Sequence, residues 1–325
     1  KMLILLKAYF ISTYLASIVT LVHTSICSKS MFVQLLEEIS QVDYKLLNKK
    51  EQTNRKRKCT AIRKVVTAIL LIMCYQICIM FLFLKGKFEV YIIKTIECAS
   101  LTCNVLTAVL FTNYVQIVTE RHKHVNKVLE TFITDVRCDG SNAGYCAFTQ
   151  SASNRIATVP HVFSESLVTS NLIHRHRDIH SVRILYNQIF DIFSLVNNHF
   201  GLPVLAVTCW ILTNVVLIVF HTLCYFEVTS LIGMCNCILC FLMKMILACQ
   251  NAENEGDTSK ILVQKLLLGE NNGDKVVKEL KMLSAQLKNM KIKYTAYGFF
   301  ALNFPNLCSA IGLIVSYVII VVQLQ

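Results

Sequence analysis

The sequence predicts an all-α polytopic membrane protein with six visible transmembrane helices. Three observations carry that fold class. The 325 residues are 54% hydrophobic and only 16% charged, with a mean hydropathy of +0.53, more apolar than a soluble domain needs. Apolar runs recur at about the 20-residue length that crosses a bilayer. Of the 32 Lys and Arg residues, 26 fall in only three of the segments between those runs, an asymmetry that orients membrane helices.

The runs lie at about 5–26, 65–85, 90–117, 202–223, 227–249 and 305–324. The first begins near Lys1 and Lys7, yet it exceeds a typical ~7–15-residue signal core and no clear cleavage site follows, so a retained helix is expected. Residues 27–64, 118–201 and 250–304 hold ten, eight and eight basic side chains, against Lys85, Lys87 and Lys94 between spans two and three. The three long loops are therefore expected in the cytosol, with both chain ends outside. An outer start at Lys1 in turn predicts one further span upstream, so that the chain reads as N-terminally truncated.

Most of the 15 cysteines lie in apolar runs, Cys74, Cys103, Cys209 and Cys249 among them, where cysteine acts as a small hydrophobe. Cys59, Cys138 and Cys146 fall in loops assigned to the reducing cytosol, and no disulfide is expected.

The loops carry helical signals of their own. Val182, Leu185, Ile189, Phe193 and Val196 recur at helical spacing and run into Gly201-Leu202-Pro203. This predicts a helix that starts well below the membrane and enters the fourth span. Val276, Leu280, Leu283, Leu287, Met290, Tyr294 and Tyr297 step in alternating fours and threes, a heptad seam, with Asp274 as its expected N-cap. Residues 135–161, rich in Gly, Ser, Asn and Thr, read as a loop, and Pro305 parts the heptad helix from the last span. The expected organisation is a helical bundle with its loops over 1–270, a cytoplasmic anchor helix over 271–304 and a terminal helix over 305–325.

That terminal helix has a pattern. Ser309, Ser316 and Gln323 recur every seven residues, a step that drifts only about 20° around a helix, and Asn306, Gly312 and Ile320 fall near the same side. Such a stripe suits a helix–helix contact or the wall of a water-filled path. Both readings stand at this point.

Enzyme chemistry has no foothold. No phosphate-binding loop, nucleophile elbow, zinc-protease motif or dinucleotide fingerprint occurs, and neither catalytic residues nor a cofactor is expected. His174, His176 and His180 lie among Arg175, Arg177 and Arg183, which disfavour a cation, and Cys235, Cys237 and Cys240 sit inside an apolar run. No metal is expected at either. The basic run Lys49–Lys58 adjoins a span and suits anionic membrane lipid better than nucleic acid. Polar and aromatic groups within the spans are costly and often functional. Tyr9, Thr13, Tyr75, Gln76, Glu97, Trp210 and Asn214 form the candidate lining of an outward-facing small-molecule pocket.

The stretch Tyr297-Gly298-Phe299-Phe300-Ala301-Leu302-Asn303, followed by Ser316-Tyr317, five apolar residues, Gln323 and Leu324, resembles the C-terminal pattern of insect gustatory receptors. Arg177-Asp178-Ile179-His180 through Asn197-Asn198-His199-Phe200-Gly201 is similar to that family's helix entering its fifth span. Ser316 stands where the family commonly has Thr, and Leu324 where it has Phe. The family has seven spans with an outer C-terminus, so the six spans read here match its second through seventh. The resemblance implies a tastant-gated non-selective cation channel at the plasma membrane, a homo- or hetero-tetramer with other gustatory receptors. It also implies that the last helix lines the pore, with Gln323 and Leu324 at the gate beside Ile320, Ser316 and Ser309, and Tyr317 and Gly298 as motif residues. The alternatives are a G-protein-coupled-type receptor, a multi-span transporter or a nonfunctional receptor fragment.

Overall fold

Long apolar stretches that pass directly into amphipathic ones, with few glycines and prolines to interrupt them, give helices that outrun a bilayer. The computed structural model describes residues 2–23, 29–46, 88–141, 162–225, 229–269 and 273–323. Its elements are α1 (Met2–Val22), α2 (Lys29–Leu46), α3 (Phe88–Ser141), α4 (Val162–Tyr225), α5 (Thr229–Leu267), α6 (Asp274–Asn289), β1 (Thr295–Ala296), β2 (Phe300–Ala301) and α7 (Phe304–Gln323). Helices α3, α4 and α5 are 54, 64 and 39 residues long, well beyond the ~20 residues a bilayer needs. Stretches long and apolar enough to span lie within Ala99–Thr134 and Ile179–Val216, and shorter apolar segments at Ile11–Val22 and Phe304–Ser316. The expected second span, 65–85, lies outside the described residues, as does most of the 135–161 loop.

Helix α4 passes through Pro203 without ending. A proline inside a helix removes one backbone hydrogen bond and crowds the carbonyl four residues back, a cost that membrane helices tolerate where neighbours compensate.

The chain divides into two compact units, one of residues 1–116, 192–250 and 293–325, the other of 117–191 and 251–292. In the first, Phe111, Val115, Val196, Val204, Val207, Ile211, Leu242 and Met245 are buried. In the second, Val125, Leu129, Ile179, Ile189, Val263, Leu280 and Leu283 form the apolar centre. There Asn126 Nδ2 donates to Glu255 Oε2 at 2.9 Å and to the Glu255 carbonyl at 3.0 Å, while the Ser259 hydroxyl donates to Asn126 Oδ1. Arg183 Nε donates to Glu279 Oε2 at 3.1 Å, fixing α6 against α4 within this unit.

The heptad helix is shorter than expected. Helix α6 buries Val276, Leu280, Leu283 and Leu287 but ends at Asn289. Beyond it, Ile292, Tyr294 and Ala296 are buried while Lys291 and Lys293 are exposed, a period of two. That alternation, with β-branched Ile292 and Thr295, makes an extended segment feeding a β-hairpin. Tyr297, the expected last seam position, is therefore exposed at the hairpin turn. Asp274 is also not the cap. Gly273 occupies the N-cap without a side-chain bond, and Asp274 lies in the first turn, where its charge suits the helix dipole.

Candidate functional site

The hairpin before α7 is set by local chemistry. The Phe299 amide donates to the Ala296 carbonyl at 3.0 Å, closing a turn whose central residues Tyr297 and Gly298 have φ of 53° and 80°. Such a tight reversal suits the right-handed twist of the paired strands but requires left-handed backbone, which Gly298 adopts freely and Tyr297 does not. Thr295 pairs with Ala301 and Ala296 with Phe300 across the hairpin.

This hairpin seats on α4. Asn197 Oδ1 accepts the Thr295 amide at 2.9 Å, and Asn197 Nδ2 donates to Thr295 Oγ1 at 3.4 Å. A Cβ on Gly201, one helical turn further, would lie 3.4 Å from both the Cα and the N of Tyr297. Below the hairpin Tyr294 is buried, ring to ring against Phe193 at 4.9 Å and Phe111 at 5.9 Å. Burial, with the Cys249 thiol adding to it, holds the Tyr294 phenol well above its ordinary pKa. It stays neutral at any physiological pH.

Helix α7 starts from this seat. Asn303 Oδ1 accepts the Asn306 amide at 3.2 Å, an N-cap bond, and Pro305 sits in the first turn where its missing N–H costs nothing. The Ser309 and Ser316 hydroxyls donate to carbonyls one turn back, Pro305 at 3.0 Å and Gly312 at 2.9 Å. They can still accept a bond from outside the helix. Ser309, Ser316, Ile320 and Gln323 are all exposed in the single chain, as are Ile311, Leu313 and Val315, whereas Leu307 near the seat is buried. Past its first turns most of the described side chains of α7 are thus exposed in the single chain. Leu324 lies outside the described residues, and so does the Tyr317 side chain. A cavity of about 300 Å³ lies beside the start of α7, walled by Thr208, Leu242, Ile246, Leu302, Asn303 and Ser309 among others.

A second cluster lies inside the helices of the same unit. Trp210 Nε1 donates to Thr13 Oγ1 at 3.1 Å, tying α4 to α1. The Ser17 hydroxyl lies 2.9 Å from the Thr13 carbonyl, 3.0 Å from that of Ser100 and 3.4 Å from Asn104 Oδ1. Asn214 Nδ2 donates to the Trp210 carbonyl at 2.7 Å. Asn104 Nδ2 and Asn214 Oδ1 are buried without a partner, so the cluster presents one unused donor and one unused acceptor. Among the described residues neither site carries a charged group, which suits a neutral polar or aromatic molecule.

Of the expected pocket residues, the structure brings Thr13, Trp210 and Asn214 together. Tyr75 and Gln76 lie outside the described residues, as do the side chains of Tyr9 and Glu97. Sequence reasoning missed Ser17, Ser100 and Asn104. Asn104 carried a usable signal, an amide in the middle of the apolar run TCNVLTAVLF.

The sequence profile of the 7tm chemosensory receptors matches residues 4–325. The chain belongs to this family. Chemosensory receptors are membrane proteins and receptors rather than enzymes, which agrees with the missing catalytic motifs. The receptor's fold is that of the insect olfactory receptor OR5 from Machilis hrabei, in one structure of that receptor at a TM-score of 0.69 and in another, in complex with eugenol, at 0.66. Sequence identity is 12% in each, over 99% of this receptor and 81% of that chain. No curated protein sequence matches. Asn197–Gly201 and Tyr297–Asn303, far apart in the receptor's sequence, form one joint between α4 and α7.

Proposed function

We propose that this receptor is a gustatory receptor, a non-selective cation channel opened by a small-molecule tastant and assembled as a homo- or hetero-tetramer around α7. The observation that carries the reading is α7 itself. It is a 20-residue apolar helix with a polar stripe at Ser309, Ser316 and Gln323, exposed along most of its length and capped onto a seat on α4. A helix so placed needs other chains or lipid against it, and copies meeting on the stripe would wall a narrow path. Gln323 would offer its amide to partly hydrated cations, with Ile320 and Leu324 closing the path by dewetting.

The tastant would bind at the Thr13–Ser17–Asn104–Trp210–Asn214 cluster. It can open the channel only by binding the open state more tightly than the closed one. The eugenol-bound olfactory receptor supports a small-molecule ligand for this fold. The basic loops support a cytosolic placement of the segments 27–64, 118–201 and 250–304, which puts the C-terminus outside. Expression of the complete reading frame in cells, with a tastant panel read as cation current, tests the whole proposal. Responses that run through a G protein, with no current of the receptor's own, would overturn it.

A further inference from the structure

The hairpin before α7 holds two aromatic side chains in the open. Tyr297 is 59% exposed and Phe299 75%, while Tyr294 and Ala296 on the same stretch are buried. The level of this turn in the membrane is fixed from two sides. Helix α7 has 20 residues, about 30 Å at 1.5 Å per residue, which is the thickness of the hydrocarbon core. Phe304 therefore stands at one boundary of that core, with the hairpin just outside it. On α4, the Tyr297 backbone lies against Gly201, 3.4 Å from where a Cβ would stand, and Leu202 opens the apolar stretch 202–223. Both helices set the turn in the headgroup layer, about 5–7 Å deep on each side of the core. Helix α5 agrees with them. Its Leu242 and Ile246 wall the cavity beside Leu302, and Lys244 between them is exposed, as suits an ammonium reaching out of the core.

We propose that Tyr297 and Phe299 form a lipid-contact surface, their rings at the boundary between the headgroups and the acyl chains of a phospholipid leaflet. Amphipathic aromatic rings concentrate at that depth, and phenylalanine gains there the apolar burial that it lacks in water. Lys293, exposed two residues before the hairpin, supplies the cation that meets a lipid phosphate. The rival occupant is a second copy of the chain. Residues 290–303 contain no carboxylate, so two such hairpins meeting would oppose like charges, whereas phosphate complements them. Because the same hairpin seats α7 on α4, lipid contact fixes the depth at which α7 enters the bilayer. The inference needs only that α7 cross the membrane. On the orientation proposed above, the surface belongs to the cytosolic leaflet.

The test uses the full chain reconstituted in phosphatidylcholine vesicles, with Phe299→Trp read by fluorescence after subtraction of the wild-type emission of Trp210. The introduced indole should emit to the blue of a tryptophan in water and resist quenching by aqueous acrylamide. Lipid brominated near the headgroup end of its acyl chains should quench it more than lipid brominated near the chain end. Quenching by acrylamide alone would leave the turn in water, and quenching by neither reagent would put it against another chain. Stronger quenching from the chain end would place the ring inside the core. Each of these three results overturns the proposal, as does bromine quenching of equal strength in Met282→Trp, on the exposed face of α6. Should Phe299→Trp not fold, Tyr297→Trp carries the same readout and decides. No tastant or current enters the measurement, so it stands or falls apart from the channel reading.

Discussion

Asn197 holds Thr295 at two points, accepting its backbone N–H at 2.9 Å and reaching its hydroxyl at 3.4 Å. This one side chain fastens the hairpin that launches α7 to the helix that carries Trp210 and Asn214. Asn197→Ala removes both bonds and strands the Thr295 amide, so the folded chain should lose about 1–3 kcal/mol. Asn197→Asp keeps the acceptor and should lose less. Thermal midpoints of the detergent-solubilised chain check the order, and equal losses would mean that the amide bond contributes little.

Proximity favours a small residue at 201, and backbone angle favours glycine at 298. Gly201→Ala places a methyl at ordinary contact with Tyr297 and should be mild, whereas Gly201→Val pushes into that backbone and should unseat the hairpin. Gly298→Ala meets no neighbour, yet at φ of +80° it should cost on the order of 1 kcal/mol. Yield of folded, monodisperse protein on size exclusion should fall most for Gly201→Val.

The Trp210–Thr13 bond is neutral and buried, a setting where one hydrogen bond contributes about 1 kcal/mol. Trp210→Phe and Thr13→Val should each reduce stability, and the double variant should fall short of their sum, because the second change removes a partner already lost. Strict additivity in a double-mutant cycle would show that the two groups do not interact.

His122 is fully buried against Tyr186, ring centroids 5.3 Å apart, with both ring nitrogens unpartnered. Replacing a buried unsatisfied polar group by an apolar one of similar size relieves its desolvation cost. His122→Leu should therefore raise the thermal midpoint. A fall would show that the imidazole makes a bond that outweighs its burial.

If α7 lines the conduction path, Gln323→Ala should change unitary conductance or cation selectivity while leaving assembly intact. Single-channel recording alongside a surface-expression measurement separates the two effects. Unaltered permeation would remove Gln323 from the gate.

The sequence alone determined the membrane class, because apolar runs of bilayer length and lopsided basic loops are local facts of composition. It determined that α4 begins well before its apolar stretch, since Val182, Ile189, Phe193 and Val196 keep helical period without a break. It also placed Ser309, Ser316 and Gln323 on one side of the last helix, since a seven-residue step fixes that geometrically. The tertiary structure decided where the heptad helix stops. Tyr294 satisfies a heptad and a two-residue alternation equally, and only packing against Phe193 and Phe111 selects the second. Tertiary structure likewise decided that Asn197–Gly201 and Tyr297–Asn303 are one joint, and that Ser17 and Asn104 share a cluster with Trp210. Those pairings bridge about a hundred residues or more, and hydrogen bonds between distant backbone turns leave no period in the chain to read.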